Sequence, residues 1–414
     1  MTNNKILKLF FLALLFLLVS SFGLPLIVDI TVFLIICFLI KFEYYTLIII
    51  NSLLLVTLFF FNLLLNSNYD ENKNFYRAHE KFSSDEFIYK KNVTSEMLMP
   101  HGDIIALEYC NNSINLAQPR TQVFITDENG FRNDKYNLNN SNIILVGDSY
   151  VAGSGNTQEH MPANILSKLT GKKIYSITSI SGPDYYEHHI KQNLDKLNQD
   201  SNILLFYFEG NDFHYKFKKN GNLKYFNNTP VPYFKYKLGF GYEKLERIKD
   251  IIFIKTFKKI YKKNYFYKSI RPKSQRLVKE LVAKWTSTCP IRYYNINGEK
   301  VGFFYKPVED FVEISTHIIE DKKILDKIKK IYFIPTKYSV YQTILKNNKK
   351  INHEYIYLKK KYNKLGIEVV DLTEILISSA IANLKYNQLI YWKDDTHWNY
   401  LGIFAAMEFI SNNL

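Results

Sequence analysis

Cysteine is scarce: Cys37, Cys110 and Cys289 are the only three in 414 residues. None stands in a CxxC or Cys/His spacing, so nothing in the pattern suggests zinc. Cys37 lies in an apolar block, which leaves Cys110 and Cys289 either as two free thiols or as a pair formed in an oxidising compartment. No internal repeat is present, which excludes solenoid and propeller architectures. Charge is nearly missing from residues 1–65, which hold only Lys5, Lys8, Lys41, Asp29 and Glu43. Acidic residues are nearly missing from 213–273, where 17 Lys/Arg face only Glu243, Glu246 and Asp250. The net charge of +15 is therefore concentrated in that one segment.

The low-charge N-terminus is made of three apolar blocks, "ILKLFFLALLFLLVSSFGL", "PLIVDITVFLIICFLI" and "TLIIINSLLLVTLFFFNLLL". Each is near the ~17–25 residues that cross a bilayer, so residues 1–65 are expected to form a transmembrane anchor of about three helices. The first block alone would also suit a signal peptide. The middle block is short and carries Asp29. Lys5, Lys8 and Lys41 fit three crossings with the rest of the chain outside the cytoplasm. Two crossings would leave the remainder cytoplasmic.

Residues 66–140 read as an irregular lead-in with strand-like pieces such as "TQVFITD". From 141 to 414 short apolar strands alternate with amphipathic helices: "NIILV", "MPANILSKLT", "KKIYSI", "DYYEHHIKQNLDKL" and "NILLFYF". That alternation predicts an α/β domain, a parallel sheet with helices on both faces. The pattern breaks at 213 and resumes at "KKIYFIP" (329–335), followed by a helix over "HEYIYLKKKYNKL", a strand at "GIEVVDL" and a last helix from about Trp398. Residues 213–328 read as a basic insertion, suited to a solvated face, to anionic lipid headgroups or to an anionic glycan; nucleic acid fits least in a domain outside the cytoplasm.

Active groups of an open parallel sheet collect at the carboxyl ends of its strands. Four polar elements fall there: "GDS" (147–149), "SGPD" (181–184), "EGND" (209–212) and "KDDTHWN" (393–399). Acyl chemistry needs a hydroxyl, an imidazole, a carboxylate to orient the imidazole, and donors for the oxyanion. Ser149, His397, a neighbouring aspartate, and Gly182 with Asn211 are the candidates for those roles. Asp148 and Asp212 are expected to hold their turns, Glu209 to cap its loop, and His188 and His189 to lie on a helix surface.

These blocks, in this order, resemble the SGNH (GDSL-type) hydrolases: "VGDSYVAGSG", Gly182 in "ISGPDYY", "FEGND" and "DDTHWN", with "TDENGFRND" similar to a segment upstream of the first block. The resemblance covers residues 121–414 and departs from the usual pattern at Tyr150, where Leu is common. Asp394 fits the family's Asp-x-x-His, whereas Asp395 fits the Asp-x-His-Trp of alginate-type O-acetyltransferases, to which "IPTKYSVY" (334–341) is also similar. Asp395 is taken as the orienter. The resemblance implies a three-layer, flavodoxin-like sheet and a serine esterase acting on O-acyl groups, such as acetyl, of a cell-surface glycan or lipid-linked sugar, with no cofactor. The alternatives are an O-acyltransferase supplied by a separate membrane acyl-donor protein, and a non-catalytic glycan-binding scaffold.

Overall fold

The computed structural model describes residues 88–107, 116–178, 182–219, 222–226, 291–304, 311–346 and 351–414. The expected membrane anchor, all three cysteines and most of the basic stretch lie outside the described residues. Among the described residues no helix is long and apolar enough to cross a membrane.

Five parallel strands form the central sheet: β3 (Ile143–Gly147), β4 (Ile174–Thr178), β5 (Asn202–Phe208), β11 (Ile328–Ile334) and β12 (Val369–Asp371). Their spatial order is β12-β11-β5-β3-β4. This is the doubly wound order 2-1-3-4-5, whose direction reverses between β3 and β5. "IILVG" is buried at every position because both of its faces are covered, as unbroken apolar strands of parallel sheets are.

Side chains alternate between two separate cores. Ile143, Leu145, Leu204, Phe206, Tyr332 and Ile334 point to one face, against α2 (Pro162–Thr170), α5 (Lys337–Lys346), α7 (Thr373–Leu384) and α8 (Tyr400–Ser411). Ile144, Val146, Ile203, Leu205, Tyr207, Ile331 and Phe333 point to the other, against α3 (Pro183–Asn193) and α6 (His353–Asn363). The α/β expectation is met, with helices on both faces of a parallel sheet.

The lead-in contributes an antiparallel pair, β1 (Thr94–Met99) with β2 (Arg120–Ile125), and the short helix α1 (Asp103–Leu107). The described parts of 213–328 are mostly β-structure, with one short helix, α4 (Lys322–Leu325): β6 (His214–Lys219), β7 (Asn222–Phe226) and β10 (Phe311–Ser315) form a three-stranded sheet. β8 (Ile291–Ile296) and β9 (Glu299–Phe304) form a hairpin through Asn297-Gly298, both at positive φ (49° and 85°). That two-residue turn matches the twist of the strands it joins.

Arg132, fully buried, holds the lead-in onto the loop after β3. Its Nε donates to Gln158, Nη1 to the carbonyls of Ala152 and Gly153, and Nη2 to those of Val123 and Asn156, at 2.7–3.0 Å. All three nitrogens of its fork are used, and its flat face lies 4.6 Å from the Phe124 ring. Arg132→Met should remove every donor and strand those acceptors, lowering stability by ~3–5 kcal/mol. Denaturant unfolding reads this; a loss below ~1 kcal/mol would show that the clamp is dispensable.

Candidate active site

β3 ends at Gly147, and the chain turns at once. The Asp148 carboxylate Oδ1 accepts the Tyr150 N–H at 2.9 Å, and helical turns follow as Ala152 N–H reaches Asp148 O and Ser154 N–H reaches Ser149 O. Ser149 is thereby lifted off the carboxyl end of β3, 9% exposed.

His397 arrives from the other end of the chain. An isolated antiparallel bridge between Tyr391 and Trp398 closes the loop that carries it, and Asn399 caps α8 by accepting Leu401 N–H and Gly402 N–H. Its Nε2 lies 2.7 Å from Ser149 Oγ and its Nδ1 2.7 Å from Asp395 Oδ1. An ionised carboxylate only accepts, so the proton sits on Nδ1 and Nε2 receives the serine hydroxyl. Asp395 Oδ1 also accepts the His397 backbone N–H at 3.1 Å, fixing the carboxylate beneath the ring.

Asp394 turns the opposite way. Its Oδ2 accepts the N–H groups of Gly102 and Gln118, both at 2.8 Å, and its Oδ1 accepts Arg120 Nη1 at 3.1 Å. Arg120 Nη2 goes to Asp395 Oδ2 at 2.9 Å, so one guanidinium bridges the two aspartates. The structure thus places Asp395 on the imidazole and Asp394 on the scaffold.

Gly182 and Asn211 flank Ser149. Gly182 caps α3 just after β4, Asn211 lies just after β5, and β3 runs between those strands. Gly182 has φ 76° and ψ −172°, a conformation reserved for glycine, and an added Cβ would stand 3.3 Å from Asp212 Oδ1. Asn211 is exposed, and its amide favours the ionised form of Asp148.

Several residues of this centre carried no signal of their own in the sequence. Asp103 accepts Thr396 N–H at 2.7 Å and the Thr396 hydroxyl, and its Oδ2 lies 3.5 Å from His397 Nδ1, a second carboxylate on the imidazole. Gly102 lets that segment approach: an added Cβ would meet Asp394 O at 2.4 Å. Tyr150 lies with its ring 4.8 Å from that of His397 and 3.9 Å from Phe208, and its hydroxyl donates to Thr396 O. Asp103, Asp395 and His397 together have metal-ligand spacing. Their lone pairs, however, already face His397, Arg120 and Thr396, and the guanidinium beside them opposes a cation.

His189 corrects the sequence reading, because it is fully buried with its ring 5.7 Å from Phe131, while His188 is exposed as expected. On α3 it shares the inward stripe of Tyr186, Ile190 and Asn193, and that spacing was the available signal. Glu209 accepts Thr336 N–H at 2.7 Å and the Ser339 hydroxyl at 2.8 Å, so it caps the start of α5. A cleft of about 490 Å³, lined in part by Thr343, Tyr355, Asp371 and Glu374, holds no group of the serine centre.

Beneath the centre lie two buried carboxyls. Burial pushes Asp148 up to about 6, against the Tyr150 N–H, His397 and Asn211, which pull it down. Burial and repulsion from Asp148 hold Asp212 well above the usual carboxylate range, although its Oδ2 accepts Phe208 N–H and the Tyr186 hydroxyl. Both carboxyls bind protons more tightly folded than unfolded, so their contribution to stability is full below the ordinary aspartate value of about 4 and is lost as pH rises, for Asp148 through about 6. Asp212→Asn mimics the protonated acid and removes the repulsion. Its stability relative to the wild type should improve from pH 4 to pH 7. Denaturant unfolding at both pH values checks this, and a pH-independent difference would contradict it.

Comparison of the chain with family models, with curated proteins and with solved structures finds no match, so what this centre can do rests on its geometry.

Proposed function

We propose that the protein is a serine esterase of SGNH type that acts through an acyl-enzyme on Ser149. The observation that carries this reading is the unbroken chain Ser149 Oγ–His397 Nε2 and His397 Nδ1–Asp395 Oδ1, both links 2.7 Å, at the point where strand order reverses. In the proposed reaction Ser149 Oγ attacks an ester carbonyl and gives its proton to His397 Nε2. The backbone N–H groups of Ser149 and Gly182 and the Asn211 amide face the resulting oxyanion. Collapse of the tetrahedral intermediate expels the alcohol, which takes the proton from His397; water then enters by the reverse proton path and releases the acid. Asp395 stabilises the imidazolium without itself becoming protonated. The substrate class is an O-acylated sugar, on a surface glycan or lipid carrier, if the anchor holds the domain outside the cytoplasm. Metal chemistry has no place in this scheme, and a glycan hydroxyl replacing water would turn the same centre into an O-acyltransferase.

The test is labelling of Ser149 by a fluorophosphonate probe, followed by acetyl-ester hydrolysis with and without a glycan acceptor. Ser149→Ala and His397→Ala should each lower turnover by ~10³-fold or more, and the double variant should be little worse than either. Additive losses would sink the shared role.

Asp395→Asn should lower turnover by on the order of 10⁴-fold with the fold intact, because an amide no longer holds the required tautomer. Asp394→Asn should leave turnover within about tenfold and act on stability instead. The reverse ranking, measured at equal folded fraction, would overturn the assignment of Asp395.

A further inference from the structure

Lys337, the first residue of α5, is 3% exposed and is used by no step of the proposed reaction. Its Nζ lies 2.7 Å from the carbonyls of Gly302 and Trp392 and 3.2 Å from those of Lys393 and Asp395. Three of these four acceptors belong to the loop that carries Asp395 and His397. The fourth belongs to β9, whose Gly302 N–H in turn donates to Lys393 O at 3.0 Å. The Phe303 ring covers the ammonium from 5.0 Å. On the other side the start of α5 is held by Glu209, two residues before Asn211. The start of α5, held by Glu209 on one side and reaching out through the Lys337 ammonium on the other, therefore joins the loop of the oxyanion donor to the loop of the base.

From this geometry we infer that Lys337 is a positioning residue: its ammonium sets the backbone of residues 392–395 and thereby the register of Asp395 and His397 against Ser149. The inference rests on the serine-esterase reading. An ammonium brings three N–H donors to this cluster of carbonyls, and a neutral amine brings two. Charges facing it are Asp394 and Asp395 from the same loop, Asp103 from α1 and Arg120 from β2. Burial pulls the amine down to about 7, the three carboxylates pull it up, and Arg120 adds to the lowering. Around His397 the facing groups are Asp395, Asp103 and Asp148, with the Tyr150 ring against its face. The arrangement should thus loosen as pH rises above about 7, while the imidazole must lose its proton for the serine to react, so reactivity is confined from both sides.

The experiment is the rate of Ser149 labelling by the fluorophosphonate between pH 5 and 10, corrected for folded fraction, in the wild-type chain, K337M and K337R. Wild type should rise and then fall with pH. K337M should be slower by on the order of 10²-fold and lack the alkaline fall. K337R, whose charge persists through this range, should also lack the alkaline fall while exceeding K337M in rate. Wild-type rates in K337M, or a uniformly slower K337M with the wild-type pH profile, would overturn the inference. If K337M does not fold, a K337R profile that keeps the wild-type alkaline fall overturns it. If the wild type is not labelled at all, the serine reading fails, and the positioning role is decided by the downfield proton resonance of His397 Nδ1–H. A shift of that resonance between wild type and K337R as pH rises above 7 upholds the role, and identical behaviour refutes it.

Discussion

The centre depends on keeping the Asp395 carboxylate charged while it is wholly buried. Taking such an ion out of water costs several kcal/mol unless its lone pairs are met and an opposite charge stands close. Here Oδ1 is met by two N–H groups of His397 and Oδ2 by the Arg120 fork, whose other arm holds Asp394. Arg120 is itself fixed by the carbonyls of Gly155 and Gln118 and by the Trp392 ring, 4.3 Å from its guanidinium carbon. The lead-in strand β2 is thus part of the site.

That dependence reorders the chain's parts. The parallel sheet sets Ser149 between Gly182 and Asn211 because β3 lies between β4 and β5. It does not by itself place the imidazole, which comes on a loop bounded by the Tyr391–Trp398 bridge. That loop is held from outside the sheet: by Gly102 and Asp103 before β2, by Arg120 on it, and by Gly302 on the hairpin. Segments that looked like a lead-in and an insertion are the walls of the base.

What was legible in the sequence follows from range. Strands buried on both faces announce themselves as apolar runs, and "NILLFYF" coincides with β5. The turn residues around Ser149, Gly182 and Asn211 were legible because each sits immediately past such a run. Arg120 and Asp103 were not, because their partners lie 274 and 293 positions away and no local pattern marks the pairing. Lys337 sits in a stretch noticed only for its likeness to other proteins, and a lone lysine reads as solvated until its carbonyl partners are seen. Choosing between Asp394 and Asp395 required the direction of each side chain: the turn from 394 to 395 sends successive carboxylates to opposite sides, one to the backbone of Gly102 and Gln118, the other under the ring.

The charges of the centre explain why two carboxylates can approach one imidazole. Asp103 and Asp395 both lie within 3.5 Å of His397 Nδ1, which would disfavour two ionised acids if nothing opposed them. Arg120 contacts Asp395, Lys337 donates to the carbonyl of the same residue, and Asp103 is bound by the N–H and hydroxyl of Thr396. Cations therefore stand behind Asp395, and among the described residues the Nε2 side of His397, which meets Ser149, carries no ion pair. In the proposed reaction this asymmetry directs the proton of the serine onto Nε2, and the orientation of the ring is the quantity that the surrounding fold controls.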